Sequence, residues 1–283
     1  LFVTTACSGA NQKSAQQDVK PQLPAGAVEM RYQRHLYFEV MLRDTIPTRM
    51  IFDTGSSNLL LDSTFYASNF GKGKNLRKAM LSGAGNGYQL TTLDASGWSY
   101  SVGDLSHSEQ MAIVMDLRKI VGDGADGLFG LPSMQGKRME LNYADGYMRL
   151  LTPEEKIADD FTAIQCKWLR DKDRIILPLS VTFADGYTLN GNFLVDTGMP
   201  TALALGSATT ARLKSGGHLV GAQSTTVEVG GVGGSRTESY VTAKQITVGG
   251  KTVNNVRISC SENKQGAMVS ITDTLAKNNV NLR

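Results

Sequence analysis

The feature that most limits what this chain can fold into is a repeat: Asp-Thr-Gly stands at 53–55 and again at 196–198, 143 residues later. Both copies end an apolar run, Met50-Ile51-Phe52 in one case and Phe193-Leu194-Val195 in the other. Each run has a partner just before it. Residues 36–42 alternate in character, 44–47 turn with Asp44 and Pro47, and 49–53 lead into the first tripeptide. Residues 175–183 alternate, Ala184-Asp185-Gly186 turns, and 191–196 lead into the second. A period of two places alternate side chains on opposite faces, so each copy predicts a hairpin that delivers Asp-Thr-Gly where the chain leaves its sheet. A carboxylate placed there can face a cleft while its strand is buried. Apolar runs also follow both tripeptides, Leu59-Leu60-Leu61 and Leu203-Ala204-Leu205. The repeat therefore predicts two similar lobes, at 28–150 and 174–283, joined by a charged crossover at 151–173.

A chain of 283 residues can give each lobe a core of its own. Thirty glycines, seven prolines and many Thr, Val, Leu and Ile predict short strands and tight turns, an all-β protein with no helical bundle. A net charge of +3, spread over 29 basic and 26 acidic residues without a basic run, argues against a nucleic-acid partner. The only histidines are His35, His107 and His218, which leaves few members for a Ser-His-Asp or Cys-His triad. No spacing resembles a zinc site, and neither a metal nor a cofactor is expected. Cys166 and Cys260 fit either a disulfide or two separate buried thiols.

Residues 1–27 read as a leading segment. Leu1-Phe2-Val3-Thr4-Thr5-Ala6-Cys7 is an apolar stub ending in a small residue and a cysteine, similar to the end of a bacterial lipoprotein signal, with Thr4 where that signature usually has Leu. On that reading Cys7 is lipidated, polar residues 8–20 form a flexible tether, and the protein is held at a membrane of the bacterial cell envelope. A plain secretory signal or an incidental apolar stub are the alternatives. The chain's last residues read as a strand broken off.

Two further elements give the repeat chemical meaning. Ile51-Phe52-Asp53-Thr54-Gly55-Ser56-Ser57-Asn58-Leu59 resembles the first active-site strand of the pepsin and retropepsin superfamily of aspartic peptidases. Asp126-Gly127-Leu128-Phe129-Gly130 resembles the apolar-Gly element that threads beside that aspartate. The resemblance implies a bilobal pepsin-like fold of two similar, six-stranded-type β-barrel lobes with the active site in the cleft between them. It implies Asp53 and Asp196 as the catalytic pair, supported by Thr54, Gly55, Ser56, Thr197 and Gly198. It also implies a polypeptide substrate and a monomer, since each lobe supplies one aspartate. Two carboxylates held together share one proton, as this family illustrates, so the pair is acid and base at once. Such enzymes cover the cleft with a hairpin flap, for which residues 82–88 with Gly85, Gly87 and Tyr88 are the candidate; Gly230–Gly234 is a second glycine-rich tip.

The second lobe departs from the pattern. Ser56 follows the first Asp-Thr-Gly, where the family's hydroxyl donates to the outer oxygen of its Asp, whereas Met199 follows the second and cannot donate. The pKa of Asp196 is therefore expected above that of Asp53. Retroviral peptidases have Ala at that place. Residues 266–275 lie where the second apolar-Gly element belongs but lack its second Gly. These departures keep open a non-catalytic envelope lipoprotein that uses the cleft to bind a peptide or protein. Glycoside hydrolysis also uses two carboxylates, but two Trp leave little for sugar stacking. The simplest alternative is that both aspartates merely cap turns.

Overall fold

Both predicted hairpins form. The computed structural model describes residues 2–5, 22–73, 75–82, 88–169, 173–219, 227–231, 234–261 and 280–282. In the first lobe His35–Leu42 pairs antiparallel with Ile46–Asp53. The turn between them bends through Arg43 and Asp44, whose φ angles of 49° and 60° are left-handed. Arg43 is held there by its guanidinium, which lies 3.9 Å from the Trp98 ring centroid and donates to the Gly97 carbonyl. In the second lobe Arg174–Thr182 pairs with Thr188–Leu194, and Gly186 turns the chain at φ 88°. The alternation has the expected consequence: Leu177, Leu179 and Val181 are buried on one face.

The correspondence runs past the hairpins. Leu59–Asp62 pairs parallel with Ala112–Met115, and Ala204–Leu205 pairs parallel with Ser259 and Cys260. A short helix then follows in each lobe, Ser63–Phe70 and Ser207–Ser215. The first is capped by Asp62, which accepts from the Thr64 and Phe65 amides, while the second begins at Gly206 without a side-chain cap.

Among the described residues the first lobe's sheet has ten strands, the second's seven, and a separate sheet has six. The six are Thr162–Ala163, Phe2–Thr5, Val280–Leu282, Arg138–Asn142, Tyr147–Leu151 and Val28–Glu29. Leu141 and Met148 of this sheet join one continuous core with Phe52 and Phe129 of the first lobe and Val195 and Leu203 of the second. Its strands thus back both active loops. Phe2–Thr5, which the lipoprotein reading assigns to a cleaved signal, pairs here with Thr162–Ala163 and with Val280–Leu282. Cys7 lies outside the described residues, as do 266–275. The crossover is built into the fold, since Lys167–Leu169 pairs with Arg174–Ile176 in the second lobe's sheet. Cys166 is exposed and Cys260 buried, and no disulfide joins them, so the two are separate but only one of them is buried.

Gly127–Gly130 shows why that segment needs its glycines. It is wedged between Met50–Asp53, to which it is parallel, and Leu60 and Leu61, to which it is antiparallel. A Cβ on Gly127 would stand 2.5 Å from the Leu60 carbonyl oxygen, and one on Gly130 would overlap the Ser56 carbonyl. Between them Phe129 is fully buried, its ring 5.1 Å from that of Phe52.

Candidate active site

Asp53 is the last residue of its strand, paired in register with Gly130, and Asp196 stands two residues beyond Leu194. The loops that follow are clasped to each other by a reciprocal set of four hydrogen bonds. The Thr54 hydroxyl donates to the Val195 carbonyl at 2.8 Å and accepts from the Thr197 amide at 3.0 Å. The Thr197 hydroxyl donates to the Phe52 carbonyl at 2.6 Å and accepts from the Thr54 amide at 3.0 Å. Both threonines are buried, at 5% and 1% exposure, so no water competes for these groups. Serine could offer the same hydroxyl, but threonine's branched Cβ also restricts its rotation.

The glycines bring the carboxyl groups together. A Cβ at Gly55 would lie 2.6 Å from the Asp196 carboxyl carbon, and one at Gly198 would overlap the carboxyl of Asp53. Each loop therefore packs its bare backbone against the other lobe's aspartate, and the two side chains hydrogen-bond to each other. Gly55 donates its amide to Asp53 Oδ1 at 2.7 Å, and Gly198 donates to Asp196 Oδ1 at 2.9 Å. Asp196 is 4% exposed, while Asp53 retains some access to solvent.

Both aspartates are pushed above the ordinary carboxylate range. For Asp53 the cause is burial, opposed by the hydrogen bond from Asp196, the Gly55 and Gly198 amides and the charge of Arg174. Asp196 is raised well above the ordinary value, first by burial, then by the negative charge of Asp53 and the hydrogen bond to it. For Asp196 the leading causes are burial and the like charge of its neighbour, not the missing hydroxyl. Ser56 also differs from the family pattern in its contacts. Its hydroxyl donates to the Asn58 carbonyl at 3.0 Å and accepts from the Asn58 amide, closing the loop on itself. Met199 is buried at 7% exposure.

Two groups near the pair carried no signal in the sequence. Arg174, the first residue of its strand, reaches across to the first lobe and donates from Nη1 to the Ser57 hydroxyl at 2.8 Å. His35 begins the corresponding strand of the first lobe and contacts the Gly198 backbone across the same boundary. Its pKa is lowered, by burial first and then by the charge of Arg34, so the ring is neutral at neutral pH. Neither residue belongs to a motif, and only the paired geometry of the hairpins brings them to the loops.

The remaining candidates are placed less completely. Leu76–Ser82 and Tyr88–Asp94 form a hairpin in which Tyr88 is 69% exposed. Its tip, with Gly85 and Gly87, lies outside the described residues. Val227–Gly231 and Gly234–Val248 form the second lobe's hairpin. A cavity of about 290 Å³ lies behind the loops, lined in part by Thr54, Thr197, Met134, Cys166 and Trp168. Among the described residues no cluster of His, Cys, Asp and Glu could hold a metal, and no helix is long and apolar enough to cross a membrane.

Two comparisons with known proteins find a similarity. Residues 179–272, about a third of the chain, match a family described as aspartyl protease. That stretch contains the second Asp-Thr-Gly. Among solved structures, the aspartic proteinase from Irpex lacteus is similar at 14% identity, covering 82% of this chain and 78% of that chain, with a TM-score of 0.46. No curated protein sequence matches.

Proposed function

We propose that this protein is a pepsin-like aspartic peptidase in which Asp53 and Asp196 share one proton and activate a water molecule. The observation that carries the proposal is reciprocal packing: each loop's glycine leaves no room for a Cβ against the other lobe's carboxyl group. Two turn-capping aspartates would have no reason to meet so. Buried and hydrogen-bonded to each other, they cannot both ionise at mild pH.

One carboxyl group of the pair holds the shared proton and the other carries the charge. The charged group takes a proton from water as that oxygen bonds to the amide carbon of the substrate, and the protonated one gives its proton to the carbonyl oxygen. Collapse of the tetrahedral species returns a proton to the departing nitrogen, and the C–N bond breaks. The clasp between Thr54 and Thr197 holds the carboxyl groups in register for this exchange. The substrate is an extended polypeptide, and the hairpin bearing Tyr88 is the flap proposed to cover it. One chain supplies both aspartates, so a monomer suffices.

A binding-only protein is the second reading, favoured by Met199 and by the engagement of Ser56 with Asn58. A peptide library incubated from about pH 3 to pH 8 with wild type, Asp53→Asn and Asp196→Asn separates the two, because general acid–base groups contribute roughly 10²–10⁴-fold. Cleavage lost in both variants is expected. Cleavage surviving either substitution sinks the dyad, and none by wild type favours binding.

Attachment to the bacterial envelope through Cys7 is a separate proposal, resting on residues 1–7 and the polar tether. It requires that Phe2–Thr5 leave the six-stranded sheet on maturation. Intact mass measurement on envelope-extracted protein should find a diacylated or triacylated chain beginning at Cys7; an unmodified Cys7 would exclude it.

A further inference from the structure

The Asp53 loop is held to the second lobe by more than the threonine clasp. Arg174 stands 117 residues from Ser57 in sequence, yet its Nη1 lies 2.8 Å from the Ser57 hydroxyl. The same nitrogen donates to the Asp173 carbonyl at 2.8 Å, and Asp173 takes a left-handed φ of 46° that turns the chain into the strand. The guanidinium is thus anchored at its own backbone and aimed at the loop that carries Asp53. Arg is suited to this place because it stays charged at any working pH and makes several directed hydrogen bonds from one planar group.

The charges around it are mixed. Asp53 and Asp196 both feel Arg174 as a favourable neighbour. On the first-lobe side Glu109 accepts from the Leu59 amide at 2.9 Å, and its pKa is raised by burial and, to a smaller extent, by Asp173. His35 stands at Gly198 with Arg34 beside it, and is neutral except in acid. Arg174 is therefore the permanent cation common to both aspartates in a region otherwise dominated by carboxyl groups. It also stands where compensation is needed, because Met199 offers Asp196 no hydroxyl and Ser56 donates to Asn58.

We propose that Arg174 is a positioning residue of the aspartate pair: it ties the Asp53 loop to the second lobe through Ser57 and supplies the positive charge that favours the singly ionised pair. The inference rests on the peptidase reading, in that it gives Arg174 a task in that reaction. A merely structural tie would lower activity at every pH alike. A charge acting on the pair does something different. Its removal disfavours each ionised form, so both limbs of the pH–rate profile move to higher pH. Activity is then lost on the acid flank and gained on the alkaline flank.

The test is the carboxyl titration of Asp53 and Asp196 by ¹³C NMR in wild type, Arg174→Gln, Arg174→Lys and Ser57→Ala, alongside pH–rate profiles. In Arg174→Gln the titration of the pair should move upward and both limbs with it. In Arg174→Lys the charge is kept and the titration should return toward wild type. Ser57→Ala removes the tie but keeps the cation, and should give a smaller shift in the same direction. Unmoved titration in folded Arg174→Gln overturns the proposal, as does an Arg174→Lys protein that behaves like Arg174→Gln. Should Arg174→Gln not fold, an unmoved titration in Ser57→Ala overturns the tie. Because the NMR arm needs no substrate, a wild type that cleaves nothing defeats the peptidase reading while still deciding whether Arg174 governs the pair.

Discussion

The two active loops are alike through three residues and unlike after them. In Asp-Thr-Gly the clasp and the glycine amides have their counterparts: Thr54 mirrors Thr197, Gly55 mirrors Gly198, and each glycine amide donates to its own aspartate. Beyond the tripeptide the first loop closes on itself through Ser56 and Asn58 and is threaded by Gly127–Gly130. The second continues into buried Met199 and half-buried Pro200. The symmetric part is what joins the lobes and sets the distance between the carboxyl groups. The asymmetric part decides how each carboxyl group differs from the other. Two carboxyl groups held this close share one proton even when identical, so the symmetric part is what the mechanism requires, and the asymmetric part bears on which group holds the proton.

The largest effects should come from the aspartates, where the two loops should behave alike. Asp53→Asn and Asp196→Asn are each expected to cost roughly 10²–10⁴-fold in kcat/KM or more. A carboxyl group whose pKa is raised by folding adds stability below its unfolded value and loses that contribution as pH rises through the folded value. Both aspartates are raised, chiefly by burial. Each Asn variant should therefore gain thermal stability at neutral pH, with the gain shrinking toward acid. Melting curves against pH check this, and a gain in one variant alone would mean that only one lobe's carboxyl group bears the burial.

The glycines test the symmetric part. Gly55→Ala sets a methyl group against the carboxyl of Asp196, and Gly198→Ala sets one against Asp53. A displacement near 1 Å suffices to cost about 10²-fold, and the two variants should lose comparable kcat. A single tolerant glycine would mean that only one lobe fixes the spacing.

The threonines should follow, with a smaller cost. Thr54→Val and Thr197→Val each keep the shape but leave a buried amide and a buried carbonyl of the other lobe without partners. Each unsatisfied group costs about 1–3 kcal/mol. Chemical denaturation should find equal losses for the two variants and a loss smaller than their sum for the double variant, because both act on one network.

How much of this could be read from the sequence follows the same division. The hairpins, the apolar strands after each tripeptide and the position of both aspartates at strand ends were legible, because alternation and turn residues act locally. The wedge at 127–130 was legible as a motif, and its reason, backbone carbonyls within a Cβ's reach, is tertiary. Arg174 and His35 were not legible: a charged or aromatic residue at the start of a strand looks the same whether it faces solvent or the opposite lobe. Nor was the six-stranded sheet, whose strands come from five separate parts of the chain and carry no repeat. The family match falls on the second lobe, the one whose loop departs further from the pepsin pattern. The first loop's close likeness to one motif was therefore a poor guide to where the longer similarity lies.

The smallest effects on catalysis should come from the residue after each tripeptide, and they bear most directly on why the loops differ. Ser56 donates to Asn58, so Ser56→Ala should change the pH–rate profile little and act mainly on loop stability, by roughly 0.5–1.5 kcal/mol for one hydrogen bond. Met199→Ser adds a donor beside a carboxyl group raised chiefly by burial and by its neighbour's charge. A hydroxyl that reaches the Asp196 carboxylate favours its charged form and lowers its pKa, so the pH–rate profile should move downward. The buried methionine side chain is lost at the same time, and folding stability should fall by up to about 2–5 kcal/mol, the range for Met→Ala in a core. The two readouts therefore move independently. A downward shift in Met199→Ser with none in Ser56→Ala would mean that the loops' asymmetry is chemical and adjustable at one position. No shift in either would mean that burial and the neighbouring charge set the titration of the pair, and the residue after the tripeptide is free to vary.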